Sequence, residues 1–386
     1  MSARVQSATT QAHGMGTELV RPDWAQITLE ETKRLFGRYS NLADVTSLLW
    51  HSPRPFSSAT IVETAEGRLF VKRHHHTVRD VEGLNEEHRF IRHLRTHGSP
   101  VSEILEGTDG ATAYAVEGWT YEVHRLAKGT DLYRDAVSWS PFQQEAHAYA
   151  AGEALARMHL AAEGFQAPAR LVRPLVSSFS VFGSDDPSAK LSAYVASRPS
   201  LLNYLHTRSW EKDCENILFP LYERFAPYIN MLKPLWTHND WHSSNLLWEE
   251  DGDAAKVTSI LDFGLADRTN AVYDLATAIE RNVIDWLALH EGKQDGLVAY
   301  EHLEALLSGY ESIRPLSTDE QKALEAILPL VHAEFALSEI DYFIGIVRST
   351  GNADMAYDLY LLGHAEWFQE QYGQELLSYL RCRTYR

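Results

Sequence analysis

The sequence predicts an α+β chain in two lobes: a small N-terminal antiparallel sheet with one helix, then a large, mainly helical C-terminal lobe. Strand-like runs crowd into the first third of the chain around one stretch of helical periodicity. From residue 142 onward helical spacing dominates, broken only by short strand-like runs. The 386 residues, 45% of them apolar, supply bulk for two cores and exceed one small module.

Residues 1–22 read as a flexible polar tail, with Met15 as an alternative start. The N-terminal lobe is expected over 23–124 and the C-terminal lobe over 125–386. Thr28-Leu-Glu-Glu31 is a capping box opening a short helix. Strands follow at Asp44–Trp50, Ser58–Thr64 and Arg68–Arg73, the last two joined by the turn signal Ala-Glu-Gly67. Residues 80–97 carry Leu84, Glu87, Phe90, Ile91 and Leu94 at helical spacing, with Gly98 as the stop. Two more strands are expected at Ala113–Val116 and Trp119–Leu126. A long helix covers Phe142–Ala162. The Pro-, Ser- and Gly-rich stretch 164–200 reads as an irregular connection. Helices resume at 200–233, short strands fall at Leu235–Thr237, Leu246–Trp248 and Val257–Leu261, and 271–380 is helical. The aromatics Tyr342, Tyr357, Tyr360 and Trp367 read as helical core.

Composition narrows the function. With 35 Lys and Arg against 53 Asp and Glu, the net charge is 35 − 53 = −18, which disfavours nucleic acid as a partner. The charge is uneven: Gly67–Pro100 holds seven basic and four acidic residues, whereas Glu280–Gly345 holds four and thirteen. No apolar run approaches the roughly 18 residues of a membrane span, and the N-terminal residues lack the apolar core of a secretory signal. Cys214 and Cys382 form no C-x-x-C pair, so a reducing cytoplasm is the predicted location.

The chemistry concentrates in His238-Asn-Asp240-Trp-His-Ser-Ser-Asn245, followed seventeen residues later by Asp262-Phe-Gly264. The order Asp-x-x-x-x-Asn, strand, Asp-Phe-Gly is that of phosphoryl transfer. That reaction needs positioning and charge neutralisation more than covalent help. Asp240 would orient the attacking hydroxyl as base. Asn245 and Asp262 would offer a neutral and an anionic oxygen to Mg2+. Upstream, Lys72 ends the run Leu69-Phe-Val-Lys72 and would reach the α/β-phosphates, while Glu87 would pair with Lys72 from the following helix.

These residues resemble the aminoglycoside phosphotransferase and choline kinase family, which includes homoserine kinase-like members. Lys72, Glu87, Tyr121-Glu-Val-His-Arg-Leu-Ala-Lys-Gly129, Ala150–His159, His238–Asn245, Asp262-Phe-Gly and Tyr273-Asp274-Leu-Ala276 carry the likeness, over about 45–290. The resemblance implies a two-lobed protein-kinase-like fold, ATP as donor with Mg2+, and a hydroxyl acceptor on a small molecule. It also implies adenine contacts at the backbone of Glu122–His124 and makes Asp274 the acid tying its helix to the 238–245 loop. His238 reads as a residue orienting that loop.

The turn where phosphates would be covered, His51-Ser-Pro-Arg-Pro-Phe-Ser-Ser58, holds no glycine, so backbone amides with the Ser57 and Ser58 hydroxyls are the expected cap. That turn is the argument for the alternative of a nucleotide-binding module without transfer activity. Asp267-Arg-Thr-Asn270 is nearly all that separates Asp-Phe-Gly from the next helix, too little for a peptide platform, which disfavours a Ser/Thr protein kinase. The acceptor contacts expected are Trp241, Asp267, Arg268, Tyr273, Glu280 and Arg281, and the acidic C-terminal helices favour a cationic acceptor such as an amino alcohol, amino acid or amino sugar.

Overall fold

The structure, a computed structural model, describes residues 12–13, 19–171, 174–251 and 254–384. Most of the tail expected over 1–22, Met15 included, lies outside them. The chain forms two compact units. One comprises the chain through His88 with Ser102–Leu126 and Asp135–Ser138, and the other Arg89–Val101, Ala127–Arg134 and Trp139 onward.

In the first unit, helix α1 (Leu29–Phe36) starts at Thr28, whose hydroxyl accepts from Glu31 N while Glu31 accepts from Thr28 N. Strands β1 (Val45–His51), β2 (Ser58–Thr64), β3 (Gly67–His75), β4 (Ala113–Val116) and β5 (Trp119–Arg125) form one antiparallel sheet in the order β1-β2-β3-β5-β4. Leu69 and Val71 of β3 and Tyr121 and Val123 of β5 pack with Leu35, Phe36 and Tyr39 in one core. Strand side chains alternate between faces. The face covered by α1 therefore also carries Arg73, whose guanidinium pairs with Glu31 Oε1 at 2.5 Å. The opposite face carries Lys72 and, directly across the ladder, Glu122.

Helix α2 (Val81–Thr96) changes unit partway along its length. Its first half buries Leu84, Glu87 and His88 in the first unit. Phe90, in the second half, packs on Phe165, Trp236 and Phe263 at 5.2–5.9 Å between ring centroids.

The second unit is built on helices, among them α3 (Glu145–Ala162), α4 (Ala271–Val283), α5 (Tyr300–Ile313), α6 (Thr318–Ile327) and α7 (Ala333–Tyr342). Helices α3 and α5 cross where Gly152 and Gly309 meet. A Cβ on Gly152 would stand 2.1 Å from Leu306 O, and one on Gly309 2.0 Å from Tyr149 O, so only glycine permits this approach. Two ladders carry the loops of interest. Strand β6 (Pro234–Thr237) pairs with β9 (Asp267–Asn270), and β7 (Leu246–Asp251) with β8 (Ala254–Ile260), both antiparallel. Tyr342, Tyr357, Tyr360 and Trp367 are all buried, as helical core demands.

Two expectations need correction. The connection 164–200 is not wholly irregular, because Pro187–Ala196 is a helix with Asp186 capping Ala189 N and Pro187 in its first turn. Asp267–Asn270 is a strand, despite a polar sequence without β preference, because its partner β6 supplies the ladder.

Candidate active site

The loop between β6 and β7 is held from below by a single carboxylate. Asp274, fully buried on α4, accepts from His238 N at 2.9 Å, Asn239 N at 2.8 Å and His159 Nε2 at 3.0 Å. His159 Nδ1 in turn accepts from Tyr310 on α5 at 2.8 Å. Burial alone would raise the Asp274 pKa, yet the His159 bond and the nearby His159 and His238 rings bring it below the ordinary carboxylate value. Asn239 adopts φ +60°, a turn conformation that asparagine tolerates. Its amide accepts from Thr237 and Thr269 and donates to Ser177 O and Leu265 O. His238 donates from Nε2 to Leu261 O at 2.8 Å and accepts from Asp240 N on Nδ1 at 3.2 Å, which fixes one tautomer. Burial lowers the pKa of that ring, against the opposing pull of Asp274.

This scaffold presents Asp240. Its Oδ2 accepts from Asn245 Nδ2 at 3.1 Å, and the same amide nitrogen donates to Asp240 O at 2.9 Å. Its Oδ1 is ion-paired with Arg281 of α4, with His242 Nε2 at 3.6 Å. The Asn245 amide oxygen accepts no hydrogen bond among the described residues. Leu261 N donates to Asn245 O at 2.8 Å, and the β7–β8 register sets Leu246 opposite Ile260, so Asn245 and the Asp262 segment share one end of that hairpin. Asp262 is exposed at φ +53° and accepts from Gly264 N at 3.3 Å. An amide oxygen and a carboxylate form a hard oxygen donor set, which fits Mg2+.

In the first unit, Lys72 lies on the sheet face away from α1. Glu87 is buried and accepts from Arg79 Nε at 2.9 Å. Lys72 and Glu87 both act on the titration of His74, one lowering and one raising its pKa. Glu122, opposite Lys72, accepts from His74, His88 and His124 Nε2 at 2.9, 2.8 and 2.7 Å. Burial opposes its charge, but the His124 charge and the three bonds hold its pKa well below the ordinary value.

Several expected contacts are corrected. Ser58 faces the α1 side with Arg73, donating to Ala25 O at 2.8 Å, and so points away from the Lys72 face. Ser57 lies in the turn itself, half-buried. The Glu122–His124 backbone is an interior strand, with β3 on one side and β4, the Leu105 N to Val123 O bond and the Ile104–His124 bridge on the other. The first stretch without strand partners begins at Leu126. Trp241 is fully buried, with its carbonyl accepting from Asn282 at 2.8 Å. Asp267 is fully buried and accepts from Arg170 N and Arg268 N. Tyr273 is buried, donating to Val331 O. These three pack and hold the scaffold. Arg268 is exposed on β9, while Glu280 and Arg281 are buried on α4.

Sequence reading missed Asn282, which accepts from Ser243 N at 2.8 Å and holds the loop from α4. It also missed the buried Glu339. Burial raises the Glu339 pKa to about 8 against the pull of Arg281. The signal available was Glu280-Arg281-Asn282, three consecutive polar residues in a helix buried along its whole length.

The model of the phosphotransferase enzyme family (APH) matches residues 56–316. The chain belongs to this family. Its class is that of small-molecule kinases. A homoserine kinase of Caulobacter sp. (strain K31) is 25% identical over 82% of this chain and 87% of its own length. Another from Methylobacillus flagellatus is 27% identical over 73% and 76%. Among solved structures, a microcompartment-associated aminopropanol kinase aligns with a TM-score of 0.56 at 17% identity, covering 89% of this chain and 98% of that one. An amicoumacin kinase in complex with AMP-PNP, Ca2+ and Ami aligns at 0.54 and 13%, covering 86% and 96%. These likenesses show the two-lobed α+β kinase-like fold.

Proposed function

We propose that this family member transfers the γ-phosphate of ATP to a hydroxyl on a small amino-bearing metabolite. The observation that carries the reading is Asp240, locked by Asn245 on one oxygen and Arg281 on the other at the tip of a loop anchored by Asp274. A carboxylate has about four lone-pair positions, so these two donors leave room for an acceptor hydroxyl. In the loose transition state of phosphoryl transfer the attacking oxygen needs orientation more than early deprotonation, and a carboxylate held in place by an amide and a guanidinium suits that task.

Asn245 and Asp262 are the residues assigned to Mg2+, which supplies neutralisation of phosphate charge. Lys72 is assigned the α/β-phosphates, with the carboxylate of Glu87 on the same side of the first unit. Because β5 is paired on both sides through His124, and the Lys128 N–H and carbonyl are bonded to Ser259 and Thr258, the adenine edge is assigned instead to the backbone of Leu126 and Ala127. Ser57 and the turn amides remain the assigned phosphate cover. On the acceptor side, the buried Arg281 guanidinium beside Asp240 offers a positive charge, which suits the carboxylate of a hydroxy amino acid. The relatives named homoserine kinase support that class.

The test is incubation of the chain with MgATP and a panel of hydroxy amino acids, amino alcohols and neutral polyols, read by mass spectrometry. The reading expects a product one phosphate heavier from the zwitterionic or cationic members. Phosphorylation confined to the neutral polyols would overturn the acceptor assignment, and no product from any member would overturn the transfer reaction.

A further inference from the structure

We propose that Glu280, His332 and His364 form a second metal site, for Zn2+ or a similar borderline divalent ion, inside the helical unit. The three side chains come from α4, from the residue before α7 and from the helix His364–Trp367. All are at least 96% buried, and their ligand atoms lie within 4.8 Å of one another.

The decisive feature is what these atoms do not do. His332 Nδ1 and His364 Nδ1 stand 3.2 and 3.3 Å from the same Glu280 oxygen, yet neither makes a hydrogen bond to it. Both ring nitrogens of each histidine, and that oxygen, lack any hydrogen-bond partner among the described residues. Buried polar atoms rarely persist in that state without water, an ion or a ligand. The two separations from Glu280 match the edges of a metal polyhedron: with bonds of about 2.0–2.1 Å to nitrogen and oxygen, two ligands of a tetrahedral ion stand about 3.3 Å apart. The Glu122 cluster shows the contrast. Its three histidine nitrogens approach to 2.7–2.9 Å in hydrogen-bond geometry, too close for the edges of such a polyhedron. Two imidazoles and a carboxylate select a transition metal over Mg2+, whose preferred donors are the oxygens of Asn245 and Asp262.

Trp286 stacks on His364 at 3.7 Å and Trp139 sits edge-on to His332 at 5.2 Å, so the surroundings are aromatic. An ion here would clamp three helical segments beside Arg281, the neighbour of Glu280 and the partner of Asp240.

The test is a Co2+ titration of the full chain, stripped of metal with a chelator, followed by Zn2+ competition. One Co2+ per chain with visible absorption typical of four-coordination, displaced by Zn2+, is expected. His332→Gln and His364→Gln should each weaken Zn2+ binding about 100-fold or more, whereas Glu122→Gln and the surface variant His75→Ala/His76→Ala should leave the signal in place. If a ligand variant fails to fold, the X-ray absorption edge of the Zn2+-loaded wild type must still show two imidazoles. Absence of binding, binding unchanged in both ligand variants, or loss of the signal on Glu122→Gln would each overturn the assignment.

Discussion

Asp274 is the residue on which the site's geometry rests, since its two oxygens take donors from the backbone of His238 and Asn239 and from His159. Asp274→Asn keeps the shape but removes the charge and sets an amide N–H against donors. It should cost about 3 kcal/mol in a denaturant titration, the scale of breaking a buried charged network. The pH dependence follows from sign. The folded-state pKa lies below the unfolded value, so this contribution is fully present above about pH 4 and is lost as pH falls through the folded pKa. The stability gap between wild type and Asp274→Asn should therefore narrow in acid, and a gap that widens there would contradict the account. On the proposed Mg2+ assignment, Asp262→Ala should erase the difference between ATP binding with and without Mg2+ in calorimetry. The placement of Asp240, Asn245 and Asp262 about one hairpin was readable because their spacing brackets it. Trp241, Asp267 and Tyr273 were misread because adjacency to a motif in sequence says nothing about which way a side chain faces. In the loop 238–243 every residue except Asp240 is buried.

Among the elements, α3 and α5 matter beyond packing. Their glycine contact brings His159 and Tyr310 together, and that pair supports Asp274. Gly152→Ala or Gly309→Ala must push the helices apart by displacing backbone, not a flexible side chain. Each should cost about 1–3 kcal/mol and lower kcat as well as Tm. Gly351→Ala, where an added Cβ meets nothing within 4 Å, is the control and should be near neutral. Strands and helices with apolar alternation were readable directly, as was the Thr28–Glu31 cap. Strand β9 was not, because Asp267-Arg-Thr-Asn270 gains its extended form from pairing with β6 and from the bonds to Asp267 and Thr269. The helix Pro187–Ala196 carried its own start signal in Asp186-Pro187, but the surrounding Ser, Gly and Pro masked it.

For the whole molecule, the division into two units follows composition, with the sheet-forming residues early and the helical ones late. The unit boundary does not follow a sequence marker, since it falls within the continuous helix α2 and again after Leu126. Among the described residues no helix is long and apolar enough to cross a membrane. The net charge of −18 leaves the handling of an anionic nucleotide to local groups, Lys72 and the assigned Mg2+ ligands. Under the proposed function, those groups would hold MgATP and Asp240 would line up the oxygen that receives its terminal phosphate. The most direct check is a paired measurement on wild type and Asp240→Asn, taking kcat and the Kd for MgATP from the same preparations. The account predicts a fall in kcat of about 1,000-fold or more, with Kd changed less than about threefold, because the lost carboxylate orients the acceptor and does not grip the nucleotide. Undiminished turnover in Asp240→Asn would contradict it.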